Sequence, residues 1–335
     1  TPTSGEIVFN QAFRKYLSEN PKHTLVLRGG HVQRYEMIEN PKQGTPVYID
    51  RERYLSDSKA GTKAYDHLKP RIVYQEGAAL DNWRRIIATY LPANNICGHK
   101  ICYFVDNHYD DYAFLAIFNS RVPEWFFRFI SSTNSLAAYQ VSIIPFPKIE
   151  THYTEGVQQA MRETIRDIYE GVMETKNYSE IYRFALENLN QRPKQTEVIH
   201  GLLAYLAEQM VDLNNEKQSQ MKSFLVWLKS QSGANLDDLT GKTYLLNFLG
   251  DYQKAETHLA LNELTDILVR NKRKLTINPN ERGFQRSLEK RYHESLDVLL
   301  PIKKRLAMTD QLIDQIVYRL YGLTEEEIAI VENSL

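Results

Sequence analysis

Cys97, His99 and Cys102 combine the chemistry of metal ligands with close spacing in the sequence. A closed zinc site needs four ligands, and no second Cys/His pair follows at the spacing of a zinc finger. These two cysteines are the only ones in 335 residues, too few for a disulfide framework, and they fit a reducing cytoplasm. We therefore expect no metal site, and we place these residues in the core and on the surface of a β-strand.

The motifs of several active sites are incomplete or missing. Gly29-Gly30 is too short for the glycine-rich turn of a methyl-donor site, and Gly241-Lys242-Thr243 lacks the upstream glycine of a phosphate-binding loop. The Asn-Pro-Pro loop with which amino-methyltransferases hold an extruded base is also absent, and Asn278-Pro279-Asn280 predicts only a turn. No HExxH or GxSxG sequence occurs.

Asp212, Glu216 and Lys217 have the residue types of a metal-dependent nuclease. They fall within a helical pattern, where such charges usually form a solvated face. The sequence therefore predicts no catalytic residue in this chain.

Charge and aromatic content differ between the two parts of the sequence. Residues 1–148 contain 18 Lys and Arg against 14 Asp and Glu, a net charge of +4, and 22 of the 37 aromatic residues. The remaining residues contain 23 against 28, a net charge of −5. A basic, aromatic-rich part next to an acidic one is typical of a nucleic-acid-facing module on a scaffold.

The first part has the pattern of a β-sheet. Short runs rich in β-branched and aromatic residues, broken by turn residues, occur at 23–28, 46–50, 71–75, 85–91 and 100–105. Such a succession predicts a twisted, mainly antiparallel sheet. Helical spacing of apolar residues predicts two helices, at 5–18 and at 112–129, the second broken or kinked by Pro123.

The second part has the periodicity of helices. The predicted segments are 157–175, 179–189, one or two helices in 196–231, then 255–274, 285–300 and 303–321. Pro301 predicts a break or a first helical turn, Gly322 a helix end, and Thr324 with Glu327 a capping box. We therefore expect an α+β chain: a sheet domain at 1–150 followed by a helical bundle or arm at 151–335.

Six segments of the first part resemble, in order, the TaqI-like specificity domain of adenine-N6 DNA methyltransferases. They begin with Leu27-Arg-Gly-Gly-His-Val-Gln-Arg-Tyr35 and continue through 69–76, 94–100, 114–120, 127–131 and 143–147. Residues 310–327 resemble the closing helix of Type IIG enzymes, which fuse restriction and methylation, and of related methyltransferases of phage-exclusion systems. The helical region at 151–300 has no counterpart in the compact members of this family, whereas the closing helices fall in 301–335.

The resemblance implies a target-recognition module for double-stranded DNA, with no catalytic residue and no cofactor of its own. The family's catalytic domain would precede Thr1. The parent enzyme would use S-adenosylmethionine, and Mg²⁺ if it also cleaves DNA. The missing methyltransferase or nuclease domains would then be partners of this chain. No run of eighteen apolar residues and no leader occurs, so we expect a cytoplasmic protein without a membrane segment.

Contacts to DNA divide into phosphate contacts, which set position, and base-edge contacts, which specify sequence. For phosphates we select cations at strand ends and turns: Arg28, Arg34, Lys69, Arg84, Arg85 and Lys100. For bases we select side chains able to bond to base edges, with two tyrosines beside them: Arg71, Gln75, Asn95, His99, Tyr74 and Tyr35. The segment Ser131, Ser132, Thr133, Asn134 through Tyr139 is expected to enter a groove or touch the backbone.

Two alternatives remain open. The chain could be a separate specificity subunit of a multisubunit system, although such subunits usually carry two recognition domains and no repeat is found. It could instead be a helical protein-interaction scaffold whose β domain no longer binds DNA. The acidic net charge of the helical part argues against a continuous DNA-binding face, so we expect this part to clamp the DNA-facing sheet and to dock the missing domains.

Overall fold

The computed structural model describes residues 2–39, 41, 45–105, 109–148, 155–191 and 196–334. The strands are β1 (Pro2–Ser4), β2 (Leu17–Ser18), β3 (Thr24–Leu27), β4 (Val32–Gln33), β5 (Glu36–Met37), β6 (Tyr48–Ile49), β7 (Arg71–Gln75), β8 (Ala88–Leu91), β9 (Ile96–Cys97) and β10 (Ile101–Phe104). The helices are α1 (Arg51–Ser56), α2 (Asp111–Asn119), α3 (Arg121–Ile130), α4 (Ala138–Val141), α5 (Glu155–Thr175), α6 (Ser179–Asn190), α7 (Thr196–Ser232), α8 (Lys242–Leu246), α9 (Leu261–Arg270), α10 (Arg282–Tyr321) and α11 (Glu325–Asn333).

The order of these elements confirms the α+β class, with mainly antiparallel sheets first and helices after them. One sheet has the strand order β1-β10-β7-β8, and every pair in it is antiparallel. The second has the order β2-β6-β3-β9, in which β3 and β9 are parallel. Strands β4 and β5 form a separate hairpin. In the described residues, no helix combines the length and apolarity needed to cross a bilayer.

The central strand β7 is covered on both faces. Tyr74 packs edge-on against Phe118 of α2, with ring centroids 5.5 Å apart. Val73, its neighbour in the strand, belongs to a buried cluster with Leu27, Val32 and Tyr103. Successive side chains of a strand point to opposite faces, so β7 lies between α2 and the apolar cluster.

The helix predicted at 5–18 is wrong: this segment consists of turns and extended backbone between β1 and β2. The N–H of Gly5 donates to Ile101 O at 2.6 Å, and Ile7 forms a parallel bridge with Gly98. A Cβ on Gly5 would lie 2.0 Å from Gly98 O. These backbone contacts determine the extended conformation of the segment. Its aromatic residues Phe9 and Phe13 pack on the core cluster that contains Ile7 and Val26.

Several helix boundaries in the structure differ from those predicted from the sequence. The break before Pro123 falls at Ser120, which places the proline at the third position of α3, where no N–H partner is needed within the helix. Residues 196–232 form the single helix α7.

Pro301 does not end a helix, because it lies within the continuous helix α10. It is on the exposed side of that helix, where water can bond to the carbonyl that loses its N–H partner. The helix predicted at 255–274 begins only at Leu261, because Ala255 has a φ of 52°.

The chain end follows the sequence closely. Gly322 has a φ of 72°, the left-handed conformation that ends many helices. Thr324 Oγ1 accepts the N–H of Glu327, and the Glu327 carboxylate accepts the N–H of Thr324. The predicted capping box of α11 is therefore confirmed.

The chain divides into two compact units. Unit 1 comprises Thr1–Val211 together with Asp310–Leu335, and unit 2 comprises Asp212–Thr309. This division differs from the expected boundary at residue 150. Within unit 1, Tyr169 of α5 packs edge-on against Tyr205 of α7, and Tyr321 donates its hydroxyl to Pro145 O at 2.7 Å. Helices before 211 and after 310 thus belong with the sheets.

Unit 2 has a core of its own. Phe224 of α7, Phe248 and Tyr292 of α10 stack around one another with ring centroids 4.9 to 5.7 Å apart. Leu264 and Leu268 of α9 are fully buried in the same cluster. Burial of this apolar surface holds α7, α9 and α10 together within unit 2.

Candidate nucleic-acid interface

Arg71, selected from the sequence to touch a base, is in the interior instead. Only 1% of the residue is exposed, and its guanidinium lies 2.5 Å from the Glu6 carboxylate. It also donates to the carbonyls of Asp66 and Asn95, and it stacks over the Tyr103 ring at 4.5 Å. A side chain enclosed in this way cannot reach a nucleic acid from the folded protein.

Arg34 and Arg84 are buried as well and face the closing helix α10. Arg34 forms a two-pronged ion pair with Asp310, with distances of 3.0 and 2.7 Å. Arg84 lies 3.6 Å from Asp314, which also accepts the backbone N–H of Arg121 at 2.7 Å. These two arginines, selected for phosphate contact, fix α10 to the sheet domain within unit 1.

Arg85 shapes a loop from inside. It donates to the carbonyls of Ser131 and Thr133, and it stacks over the Phe127 ring at 4.7 Å. Its own N–H donates to the Glu124 carboxylate at 3.0 Å. Arg85 therefore holds the loop that follows α3, but does not extend from it.

Five further selected residues make contacts within the fold. Tyr35 and Tyr74 are fully buried. Gln75 donates to Val32 O at 2.6 Å, and Asn95 donates to Pro92 O at 3.0 Å, which closes a turn. Ser131 is buried too, and its carbonyl accepts from Arg85.

Most of the exposed and half-buried cations and polar residues selected from the sequence come together where four loops of unit 1 meet, at one end of the sheets. We call this surface the loop edge and define it as residues 28–30, 76–80, 98–100 and 131–135. The turn at 98–100 is joined to β3, because Gly98 N–H donates to Leu27 O at 2.7 Å. A Cβ on Gly29 would lie 3.3 Å from Lys100 O, so the glycine-rich turn after β3 lies against the same loop.

The other two loops continue the edge. Glu76 N–H donates to Lys100 O at 3.1 Å, and Gly77 forms an antiparallel bridge with Ser135. Asn134 accepts the N–H of Ala78 with its carbonyl and that of Leu80 with its side chain, both at 3.1 Å. Four segments that are far apart in sequence thus form one hydrogen-bonded surface.

The side chains of the loop edge can bind both phosphates and bases. Lys100 is exposed and makes an ion pair with Glu76 at 3.5 Å, and Arg28 lies 5.1 Å from the Phe9 ring centre. Burial, and then the neighbouring Lys100 charge, lower the pKa of His99, so its imidazole is neutral at pH 7. Since Nδ1 of His99 is buried, only its Nε2 is available to a base edge, as a donor or as an acceptor according to the tautomer. Ser132, Thr133 and Asn134 are exposed beside them.

Two of the exposed selected residues lie outside the loop edge. Lys69 is exposed at the end of the 3₁₀ turn Lys63–Leu68, and Tyr139 is exposed on the short helix α4. Residues 76–80 of the loop edge, where Leu80 is exposed, were not among the predicted DNA contacts. The run Gly77-Ala78-Ala79 directly after a strand was the available signal for that loop.

Both cysteines are buried, and burial raises the pKa of Cys97 to about 12 and that of Cys102 to about 11. Within the described residues, no group of three or more His, Cys, Asp or Glu side chains is placed to hold a metal ion.

No protein-family model, curated protein or solved structure matches this chain.

Proposed function

We propose that this chain binds double-stranded DNA through the loop edge and reads its sequence there. The convergence of four loops is the observation that supports the proposal, since it places Arg28, His99, Lys100 and the polar residues 132–134 on one surface. Cations for phosphates and neutral groups for base edges are what sequence-specific binding needs.

Rigidity of the loops supports the same function. Arg85 fixes the carbonyls of the loop after α3, and backbone hydrogen bonds fix the turn at 98–100. A surface that is already ordered loses little conformational entropy on binding, so more of the interaction energy appears as affinity and discrimination.

The biological setting proposed for this DNA reader is a restriction-modification system in the cytoplasm. The likeness of six segments in 27–147 to TaqI-like specificity domains supports it. In this proposal the catalytic domain, which uses S-adenosylmethionine, lies outside the chain, and Mg²⁺ acts only if the parent also cleaves. Methyl transfer to DNA by this chain alone, with the methyl donor added, would contradict the assignment.

Selection from a randomised duplex pool, at two salt concentrations, tests the proposal. We expect enrichment of one motif and weaker binding at the higher salt, because phosphate contacts release counterions. Absence of any enriched motif would overturn it. His99→Gln should relax the preference at one position of the motif, at a cost of about 1–3 kcal/mol.

Lys100→Ala separates phosphate contact from base reading. We expect similar weakening on all sequences and a salt slope smaller by about 1. Lys22→Ala is the matched control, since Lys22 is an exposed lysine before the opposite end of β3. Equal effects of the two variants would show that general charge, and not the loop edge, accounts for the binding.

A further inference from the structure

The acidic charge of the second half of the sequence belongs to unit 1, not to unit 2. Residues 212–309 contain 16 Lys and Arg against 12 Asp and Glu, a net charge of +4. Residues 149–211 and 310–335 together contain 7 against 16, a net charge of −9. The helical region expected to be too acidic for DNA is thus basic where it forms its own compact unit.

Part of this positive charge is concentrated at one place in unit 2, which we call the basic corner. It comprises Lys242 at the start of α8, Arg270 at the end of α9, and the following 3₁₀ turn Lys272–Lys274. Lys242 and Lys274 donate to the carbonyls of Asp237 and Asp238, both at 2.6 Å, so they lie on either side of one short turn.

Asn271 makes the basic corner rigid. It lies between Arg270 and Lys272 in sequence and is buried, with 3% of its surface exposed. Its side chain accepts the N–H of Thr240 and donates to the carbonyl of the same residue, each at 2.9 Å. The end of α9 is therefore tied to the turn before α8, and the cations project from a fixed backbone.

The basic corner differs from the middle of α10 in how its charges are paired. Lys290 and Arg291 of α10 both face Glu294. Among the residues that the structure describes, no carboxylate lies within 4.0 Å of the charged nitrogens of Arg270, Lys272 or Arg273, and all three are exposed. Asp237 and Asp238 are the acidic groups of the adjoining turn, which leaves five positive charges against two.

We propose that the basic corner binds the phosphate backbone of duplex DNA without reading its sequence. Exposed, unpaired Lys and Arg side chains on a rigid turn release counterions from DNA when they neutralise phosphates. The corner is a different surface from the loop edge, so this inference goes beyond the sequence reading proposed above and needs no base contact.

The experiment measures the salt dependence of binding of the full chain to a duplex that lacks any enriched motif. We compare the wild type with Lys272→Ala/Arg273→Ala and, as a matched loss of two charges, Lys254→Ala/Lys290→Ala. In the first variant we expect the salt slope to fall by about 2, since each phosphate contact contributes about 0.9. The control should keep the wild-type slope, and both variants should keep the wild-type melting temperature, because all four side chains are exposed.

The outcomes separate this inference from the proposed function. A smaller slope on this duplex, with motif selection from the pool unchanged, supports the basic corner. An unchanged slope overturns it, even if a motif is enriched, and points to an acidic protein as the partner of this surface. A smaller salt slope with no enriched motif supports phosphate binding by the basic corner and overturns the proposed sequence reading. No DNA binding by the wild type overturns both.

Discussion

A buried guanidinium needs partners for its N–H groups, and Arg71 finds them at the centre of the sheets for its two terminal nitrogens, whereas its buried Nε has no hydrogen-bond partner. It combines the Glu6 carboxylate, two carbonyls and the Tyr103 ring. Lys100, three positions beyond Cys97, has the same charge but is exposed, with a single weak ion pair. The first side chain supports the fold and the second is available to a ligand, and stability measurements should separate them.

Removing the Arg71 side chain should strongly destabilise the protein. In Arg71→Met, the Glu6 carboxylate stays buried without its cation, which should cost about 3–5 kcal/mol of unfolding free energy in urea titrations. Lys100→Ala should change the same quantity by about 0.5 kcal/mol or less. The double variant Glu6→Leu/Arg71→Met should recover much of the loss, and a loss as large as in the single variant would argue against an uncompensated charge as its cause.

Glu6 should give stability a measurable pH dependence. Burial raises its pKa from 4.5 to about 6, against the attraction of Arg71. The folded state therefore binds an extra proton between pH 4.5 and 6, and stability from this group increases as the pH falls through that window. Relative to Glu6→Gln, the wild type should gain about 1.5 kcal/mol in unfolding free energy between pH 7 and pH 4.5. A constant difference between the two proteins would refute the shifted pKa.

The sequence could identify the residue types of the loop edge but not which cations are exposed. Arg28, His99, Lys100 and residues 132–134 were selected from type and position, and all lie on that edge. Arg71 and Arg34 could not be separated from them. Their carboxylate partners, Glu6 and Asp310, are 65 and 276 residues away, and a single sequence contains no sign of such pairs.

At the scale of elements, helix α3 is preceded by an N-cap residue, Ser120, whose side chain does not cap the helix. Ser120 makes no side-chain hydrogen bond to the first turn. The Asp314 carboxylate of α10 instead accepts the backbone N–H of Arg121 at 2.7 Å and faces the side chains of Arg121 and Arg84. A carboxylate at this position satisfies a free N–H and interacts favourably with the helix dipole.

Asp314→Ala should therefore loosen both α3 and α10. The variant leaves Arg84 buried beside Arg34 with only Asp310 to balance them, so we expect a loss of about 3 kcal/mol in unfolding free energy. Asp297→Ala is the control, because Asp297 is an exposed aspartate of the same helix. Losses of similar size in the two variants would show that helix propensity, and not the buried pairing, sets the effect.

Local signals predicted the elements well where local physics dominates. The αL glycine at 322 and the capping box at 324–327 both depend on neighbours in sequence. The segment 5–18 failed because backbone contact with Gly98 determines its conformation. The break predicted at Pro301 is absent for a related reason. The packing of α10 outweighs the loss of one backbone hydrogen bond on the exposed side of the helix.

At the scale of the whole molecule, the two compact units separate charge as well as packing. Unit 2 has a positive net charge and its own aromatic cluster, whereas the helices of unit 1 carry the acidic surplus. Composition averaged over half of the sequence concealed this, because the boundary depends on which helices pack on the sheets.

A core variant in unit 2 should consequently destabilise that unit first. Phe248 is fully buried between Phe224 and Tyr292, so Phe248→Ala should cost about 3–5 kcal/mol locally. Hydrogen exchange measured by mass spectrometry should then show faster exchange in α9 and in 285–300, with β7 and β10 unchanged. Phe127→Ala, which removes an equally buried ring of unit 1, should show the opposite pattern. Equal loss of protection throughout the chain in both variants would mean that the units unfold as one, because then neither core could open without the other.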